Sequence, residues 1–448
     1  MHRPKPHPLA VAIFAGLLQL PAQAALYAVD SGPYTLPNGK FPAWFQDSHG
    51  RTLDLCLSKA VSSRVAGAPG APSYMCTLLP TPGVFDDTQP IVFPSNFPDE
   101  AFWFTADAAL VDAARGIDLS YVSAIEAAFS AEEPVDGDQV SFARVRIRVD
   151  VPVAGTYVIT HPYGVEVFDV QTPGRRAINM TRDIGIGSPG DHTGALKGDI
   201  GPFLRSVNGP YTETNPSNGA SERFVGDPNL SEPVTGSPFN TNFVRIEGPN
   251  GLDLRTELFA VSGKLSTVTR PTPLIPQRST YSRHTENGDL RAQQDVFVMA
   301  PPAPATVTLS SQNPALPLSE ANGTGAWYAQ SVLNPTLPLT LQVTADNSLA
   351  IASSTPTTAP MPLTDLVVIS RAEYSLASGQ LTLVASSSDE TSPPALTART
   401  GNGTLIGSLS GNGAVKTLTT GLSPIPPAKV QVTSANGGSD SEDVVLVP

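Results

Sequence analysis

Residues 143–160 read ARVRIRVDVPVAGTYVIT, and the opening seven positions decide the kind of structure this chain builds. Ala143, Val145, Ile147 and Val149 alternate with Arg144, Arg146 and Arg148. Side chains of an extended strand point to opposite faces in turn, so this pattern describes a half-buried strand with its arginines outward. Val153-Ala154-Gly155 offers a turn into residues 156–160, which predicts an antiparallel hairpin. His161-Pro162-Tyr163-Gly164 ends that strand and residues 165–170 begin another. Residues 242–247 and 258–261 read as closing strands of the same sandwich or barrel. The stretch 183–238 between them is rich in Gly, Pro, Asn and Ser and reads as loop.

Toward the N-terminus the pattern is harder to follow. Tyr34 to Gln46 carries an Asn38-Gly39 turn between apolar clusters. Pro98-Asp99-Glu100 has the composition of a helix start, with Pro and acids in a first turn. Residues 101–110 and 117–129 fit helix or strand, and the turn residues Arg115-Gly116 tip the reading to strands. Before all of this stands a segment with the features of a secretory signal. His2, Arg3 and Lys5 are basic, residues 9–20 are apolar, and Ala22-Gln23-Ala24 is a small-x-small cleavage site. With no twin arginine and no cysteine after the site, residues 1–24 are expected to serve a Sec-type route to the periplasm or beyond. No later stretch has about 18 consecutive apolar residues, so no membrane span is expected.

The formal charge is −13, and losing Arg3 and Lys5 with the signal would take it to −15. Nucleic-acid binders displace counterions with clustered cations, so this balance argues against a nucleic-acid partner. Cys56 and Cys76 are the only cysteines, and in an oxidising compartment they are expected to pair. The 45 prolines, 37 glycines and only 15% charged residues suit short strands and many turns.

C-terminal to a boundary at Arg270-Pro-Thr-Pro-Leu-Ile-Pro276 there is a weak internal repeat. Leu341-Gln-Val-Thr-Ala-Asp-Asn347 matches Val430-Gln-Val-Thr-Ser-Ala-Asn436, and Pro301-Pro-Ala303 matches Pro393-Pro-Ala395. A period of roughly 90 residues is that of an immunoglobulin-like or fibronectin-like sandwich. The expected architecture is therefore all-β and multi-domain, built of antiparallel β-sandwiches. A disulfide-bearing region spans 25–135 and a central sandwich 136–268, followed by tandem modules at 269–360 and 361–448 joined by a linker at 355–362.

The series Phe97-Pro-Asp-Glu-Ala-Phe102, Thr160-His-Pro-Tyr-Gly164, Asp183-Ile-Gly185, Gly201-Pro-Phe-Leu204, Gly226-Asp-Pro-Asn229, Thr235-Gly-Ser-Pro238 and Arg245-Ile-Glu-Gly-Pro249 resembles a group of secreted bacterial β-rich proteins. The C-terminal modules resemble bacterial immunoglobulin-like domains. That resemblance brings with it no activity and no site residue.

Signatures of chemistry are sparse. There is no Gly-x-Ser-x-Gly elbow, no Walker-type phosphate cradle and, once the disulfide is granted, no free thiol. Asp183, Asp191 and His192 form the best small cluster for acid–base work or metal binding. Asp227, Asn229 and the 183–191 loop offer oxygen ligands to a calcium ion. No other cofactor is expected. The ladder Arg144, Arg146 and Arg148 makes a basic stripe about 13 Å long. It either holds a carboxylated or sulfated glycan or pairs across strands with acids such as Glu166 and Asp169. Trp44, Trp103 and the pair Trp327-Tyr328 are candidate sugar platforms or core plugs. The expectation is an exported binding or adhesion protein of an extracellular or envelope ligand, with a glycan foremost. The alternative is a secreted hydrolase of polysaccharide or another polymer, with the modules as accessories.

Overall fold

The computed structural model describes residues 26–312, 314–333 and 336–448. The expected signal at 1–24 lies outside the described residues. Throughout those described, the chain is all-β, its only helical elements being three short 3-10 turns.

The body is organised by two thirteen-residue strands, β1 (Glu100–Asp112) and β2 (Ile117–Phe129). They pair from Asp112↔Ile117 back to Glu100↔Ala128, with a bulge between Phe102 and Phe104. The tight turn joining them uses Gly116 at φ +67°, a conformation that only glycine adopts without strain. The third strand, β3 (Gln139–Val151), runs along β2, and β4 (Gly174–Ile184) along β3. Leu258–Ser262, Glu232–Thr235 and Arg205–Ser206 extend the sheet on the β1 side to seven strands. Pro98-Asp99-Glu100 thus opens a strand and not a helix, because residues 101–106 are buried within a sheet that supplies their backbone partners.

A six-stranded sheet runs Leu26–Val29, Trp44–Asp47, Thr52–Asp54, Lys264–Leu265, Ser221–Phe224, Tyr211–Thr214. A four-stranded sheet runs Leu252–Thr256, Val244–Gly248, Gly155–His161, Gly164–Val170. All three sheets feed one core that includes Phe45, Leu53, Trp103, Phe104, Ile147, Tyr157 and Ile246. Trp103 is fully buried, its indole N–H donating to the Pro42 carbonyl at 3.1 Å. The boundary expected at 135/136 falls in the loop between β2 and β3, and both sides of it share one sheet and one core.

Two local expectations need correction. Residues 143–149 and 156–160 do not pair with each other. After Val151 the chain leaves the large sheet, and Gly155–His161 pairs instead with Gly164–Val170 and Val244–Gly248. The stretch 183–238 is not all loop, for it holds four short strands that complete two sheets.

Beyond the body stand two sandwiches with one plan. In the first, Ile275–Glu286, Asp289–Met299 and Ala326–Gln330 face a sheet of Leu316–Pro317, Thr306–Leu309, Thr340–Asp346 and Thr357–Pro362. In the second, Val367–Ser375, Gln380–Ser387 and Val415–Gly421 face Leu405–Ser408, Leu396–Thr400, Lys429–Ser434 and Ser439–Asp443. Ser319–Glu320 and Thr364–Asp365 bring the first of these sheets to five strands, and Val445–Val447 brings its counterpart in the second sandwich to four. Each sandwich is thus two packed sheets of four or five strands, the architecture of immunoglobulin- and fibronectin-like modules. The repeated Leu341 and Val430 segments occupy equivalent central strands, and the two Pro-Pro-Ala segments equivalent loops. The expected linker at 355–362 is instead an edge strand of the first sandwich, paired from Thr340↔Pro362 to Ala345↔Thr357. Its prolines are tolerated because the strand lies at a sheet edge, where a missing N–H breaks no ladder on the outer side.

The junction between the sandwiches is firmly bonded. Asp389, fully buried, takes the guanidinium of Arg283 and the hydroxyl of Tyr281 (3.1 Å). Arg283 N also donates to Ser388 O at 2.9 Å, and Asn436 donates to the Tyr281 hydroxyl at 2.9 Å.

Cys56 and Cys76 are bonded, with Cα atoms 5.3 Å apart, as their spacing and the absence of other thiols predict. Between the strands at Thr52–Asp54 and Glu100–Asp112 the chain makes only isolated bridges, so the disulfide holds this segment together with the ion pairs of Arg64 to Glu213 and Asp227 and the packing of Met75 on Phe224. Closing a loop of this length contributes about 3 kcal/mol. A Cys56→Ala, Cys76→Ala double variant is therefore expected to melt about 6–12 °C below the parent in calorimetry. An unchanged melting temperature would mean that packing around Met75 and Phe224 holds the segment unaided.

Candidate functional site

A cavity of about 420 Å³ opens where the body meets the first sandwich. Its body side carries Arg51, Thr52, Arg205, Arg223, Leu265 and Ser266, and the sandwich contributes residues 350–353. Three guanidinium groups thus converge in a chain whose net charge is −13. No carboxylate and no imidazole lines the cavity.

Local structure explains why these arginines meet. Asp47 is completely buried at the end of its strand. One of its carboxylate oxygens accepts the backbone N–H groups of His49 (3.0 Å) and Arg51 (2.8 Å), folding residues 47–51 into a tight loop. The other oxygen accepts Phe203 N–H at 2.8 Å, two residues before Arg205. A single buried carboxylate, satisfied by backbone donors, therefore brings Arg51 and Arg205 to the same wall. Arg223 arrives on the strand Ser221–Phe224 of the six-stranded sheet.

The opposite wall is equally set. Arg270–Pro271 pairs in parallel with Ser354–Thr355, and Asn347 O accepts the N–H groups of Ala350 and Ile351. Gln46 bonds Pro271 O (3.2 Å), Asn347 bonds His49 O (3.2 Å), and the Arg270 guanidinium stacks 3.7 Å over the Trp44 ring. These contacts fix the sandwich against the body at the mouth of the cavity.

Charge in the cavity is uncompensated. Among the described residues, the guanidinium groups of Arg51, Arg205 and Arg223 make no hydrogen bond or ion pair. Burial pushes Arg205 down to about 10, and the like charge of Arg51 pushes the same way against the pull of Asp47. It remains a cation at neutral pH, beside another cation.

The residues singled out in the sequence are placed differently. Arg144 is committed: it binds Asp183 in a two-pronged ion pair (2.7 and 2.9 Å) and Glu126 at 3.0 Å. Arg146 reaches Thr181 at 3.3 Å, and Arg148 has a buried Nε without a partner. The cross-strand acids are therefore Asp183 and Glu126. Glu166 pairs instead with Arg182 (2.6 Å), and Asp169 accepts from Gln171 (2.9 Å).

Asp183, Asp191 and His192 do not converge on one another. Asp191 is exposed and turns back on Thr193, while His192 is buried, with Nδ1 3.0 Å from Ser141 Oγ and the Tyr34 ring edge-on at 5.1 Å. Burial lowers His192 to about 4 against the pull of Asp191, so it is neutral at physiological pH. Asp227 is held by Arg64 at 3.1 Å and by Ser62 and Asn229. Among the described residues, no three His, Cys, Asp or Glu side chains gather as metal ligands.

Trp103 and Trp327 are core plugs, and Trp44 is buried beneath Arg270. Of the Trp327-Tyr328 pair only Tyr328 is exposed, at 38%, with its hydroxyl bonded to Asp295 (3.0 Å). Sequence reading missed Arg51, Arg205 and Arg223 because they lie singly in three distant segments.

No protein-family model matches the chain, and no curated protein matches it significantly. Among solved structures, it is similar to the full ectodomain (Ig1–Ig3) of mouse nectin-like molecule 4. That likeness has 12% identity and a TM-score of 0.15, covering 68% of this chain and 94% of that one. The class defined by the fold is an all-β chain of a three-sheet body with two immunoglobulin-like sandwiches in tandem. No helix among the described residues is long and apolar enough to cross a membrane.

Arg144 on β3 is flanked by Glu126 of β2 and Asp183 of β4. Arg144 serves two carboxylates, so the more deeply buried one takes a proton. Burial raises Glu126 to about 8 in spite of Arg144, aided by Glu100 and Asp183. Because this folded value lies above the unfolded one, the group's stabilising contribution is complete at low pH and fades as pH rises toward 8. Glu126→Gln is thus expected to raise the melting temperature near pH 8 by roughly 2–4 °C or more, and little near pH 5. A lower melting temperature near pH 8 would show that Arg144 depends on an ionised Glu126.

Proposed function

We propose that this chain is a non-enzymatic exported binding protein whose ligand enters the cleft between the body and the first sandwich. The observation that carries this reading is the lining: guanidinium groups, hydroxyls and aliphatic side chains, with nothing able to act as a general acid or base near neutrality. Recognition needs donors and a shaped wall, and both are present. Glycoside hydrolysis needs two carboxylates across the substrate, and the cleft offers none to a bound chain. The disulfide supports an oxidising compartment, and the bonded sandwiches suit a stiff arm holding the body away from its anchorage or partner.

The test uses the purified full-length protein and a panel of polysaccharides and their oligosaccharides. Retention on one of them is expected without any release of reducing ends, and a cleft-filling Ala350→Trp variant is expected to lose it. Depolymerisation of the bound polymer would sink the reading in favour of a hydrolase. Retention unaffected by Ala350→Trp would move the site out of the cleft.

A further inference from the structure

Resting on that reading of the cleft, we infer that its ligand is an acidic sugar, free or at a chain end, whose oxyanion sits between Arg51 and Arg205. Two neighbouring guanidinium groups with no protein acceptor repel each other, and a bound oxyanion replaces that repulsion with charge-assisted hydrogen bonds. The one buried carboxylate nearby, Asp47, is already satisfied by the backbone N–H groups of His49, Arg51 and Phe203. The protein therefore holds the cations in place while leaving their charge for something else.

The rest of the wall identifies the body of the ligand. Thr52, Ser266, Thr267 and Ser353 present hydroxyls that suit the hydroxyl groups of a sugar, and Leu265 and Ile351 present aliphatic surface that suits a ring face. A cavity of about 420 Å³ falls within the range of small-ligand sites. Size and charge together disfavour a long polyanion running across the surface. The chain carries 40 acidic against 27 basic residues, so an extended nucleic acid or polyuronate would be repelled outside the cleft. One anionic unit reaching into the arginine pocket avoids that repulsion.

Titration calorimetry on the intact protein with glucuronic acid, a sulfated glucose, glucose, inorganic sulfate and polygalacturonate tests the inference. The first two probes separate a carboxylate from a sulfate ester. Binding of at least one of them is expected, with glucose and inorganic sulfate each at least about tenfold weaker. Arg205→Gln is expected to weaken the sugar acid about 10- to 100-fold. Without ligand, the same variant is expected to melt no lower than the parent, because removing one of the three unpaired like charges relieves repulsion. A purely structural arginine would lower the melting temperature instead, and that result overturns the inference. Equal binding of glucose, or of inorganic sulfate, also overturns it, as does polygalacturonate binding that ignores Arg205→Gln. If glucose binds and Ala350→Trp abolishes it, the cleft survives and only the ligand class fails. If no probe responds to Ala350→Trp, the cleft reading fails as well.

Discussion

Backbone hydrogen bonding across the long antiparallel ladder of β1, β2 and β3 is the constraint on which the body depends. Strands of thirteen residues carry many N–H and C=O groups into the interior, and each must find a partner there. The ladder supplies those partners along nearly its whole length, in registers that run Asp112↔Ile117 to Glu100↔Ala128 and Asp118↔Asp150 to Phe129↔Gln139. Once it is in place, the remaining sheets can pack over it with short strands. Two-residue strands such as Arg205–Ser206 persist only because an existing sheet edge receives them.

That same ladder explains what could be read in the sequence. Residues 143–149 announced a strand because one face is apolar and the other only partly buried, so the period of two survives. Residues 101–106 are buried without a break, since neighbouring sheets cover both faces at this end, and the alternation disappears. The pattern then fits helix and strand equally. Pairing partners were the least legible feature. The hairpin expected between 143–149 and 156–160 fails because Pro152 and Gly155 carry the chain from one sheet to another, a tertiary fact that local turn chemistry does not contain. Proline misled in the opposite sense at 355–362, where edge-strand prolines looked like a linker.

The site was less legible than the fold for a related reason. Sequence reading detects chemistry as runs and spacings, and the conspicuous run here, Arg144 to Arg148, has its first arginine consumed by Asp183 and Glu126. The conspicuous tryptophan at 327 is a core residue whose indole N–H serves Pro301 O at 3.1 Å. Arg51, Arg205 and Arg223 became neighbours through a loop, a sheet edge and a second sheet, and the pin that aligns two of them is Asp47. A buried aspartate whose partners are all backbone N–H groups leaves no mark in composition, because those donors are common to almost every residue.

The position of the cleft links the body to the tandem sandwiches. One side of its wall belongs to the loop at 350–353, and that loop is held by the sandwich's own strand pairing and by Asn347 reaching His49. Any ligand spanning both walls therefore adds its contacts to those of Gln46 and Arg270 at the same junction. Binding energy obtained there stabilises the docking of two units in addition to the ligand itself. Since the second sandwich is in turn bonded to the first through Asp389, Arg283 and Tyr281, little freedom is left along the arm for the ligand to order. A ligand entering the proposed cleft would thus meet body, cleft and arm already set, which lowers the entropic cost of binding.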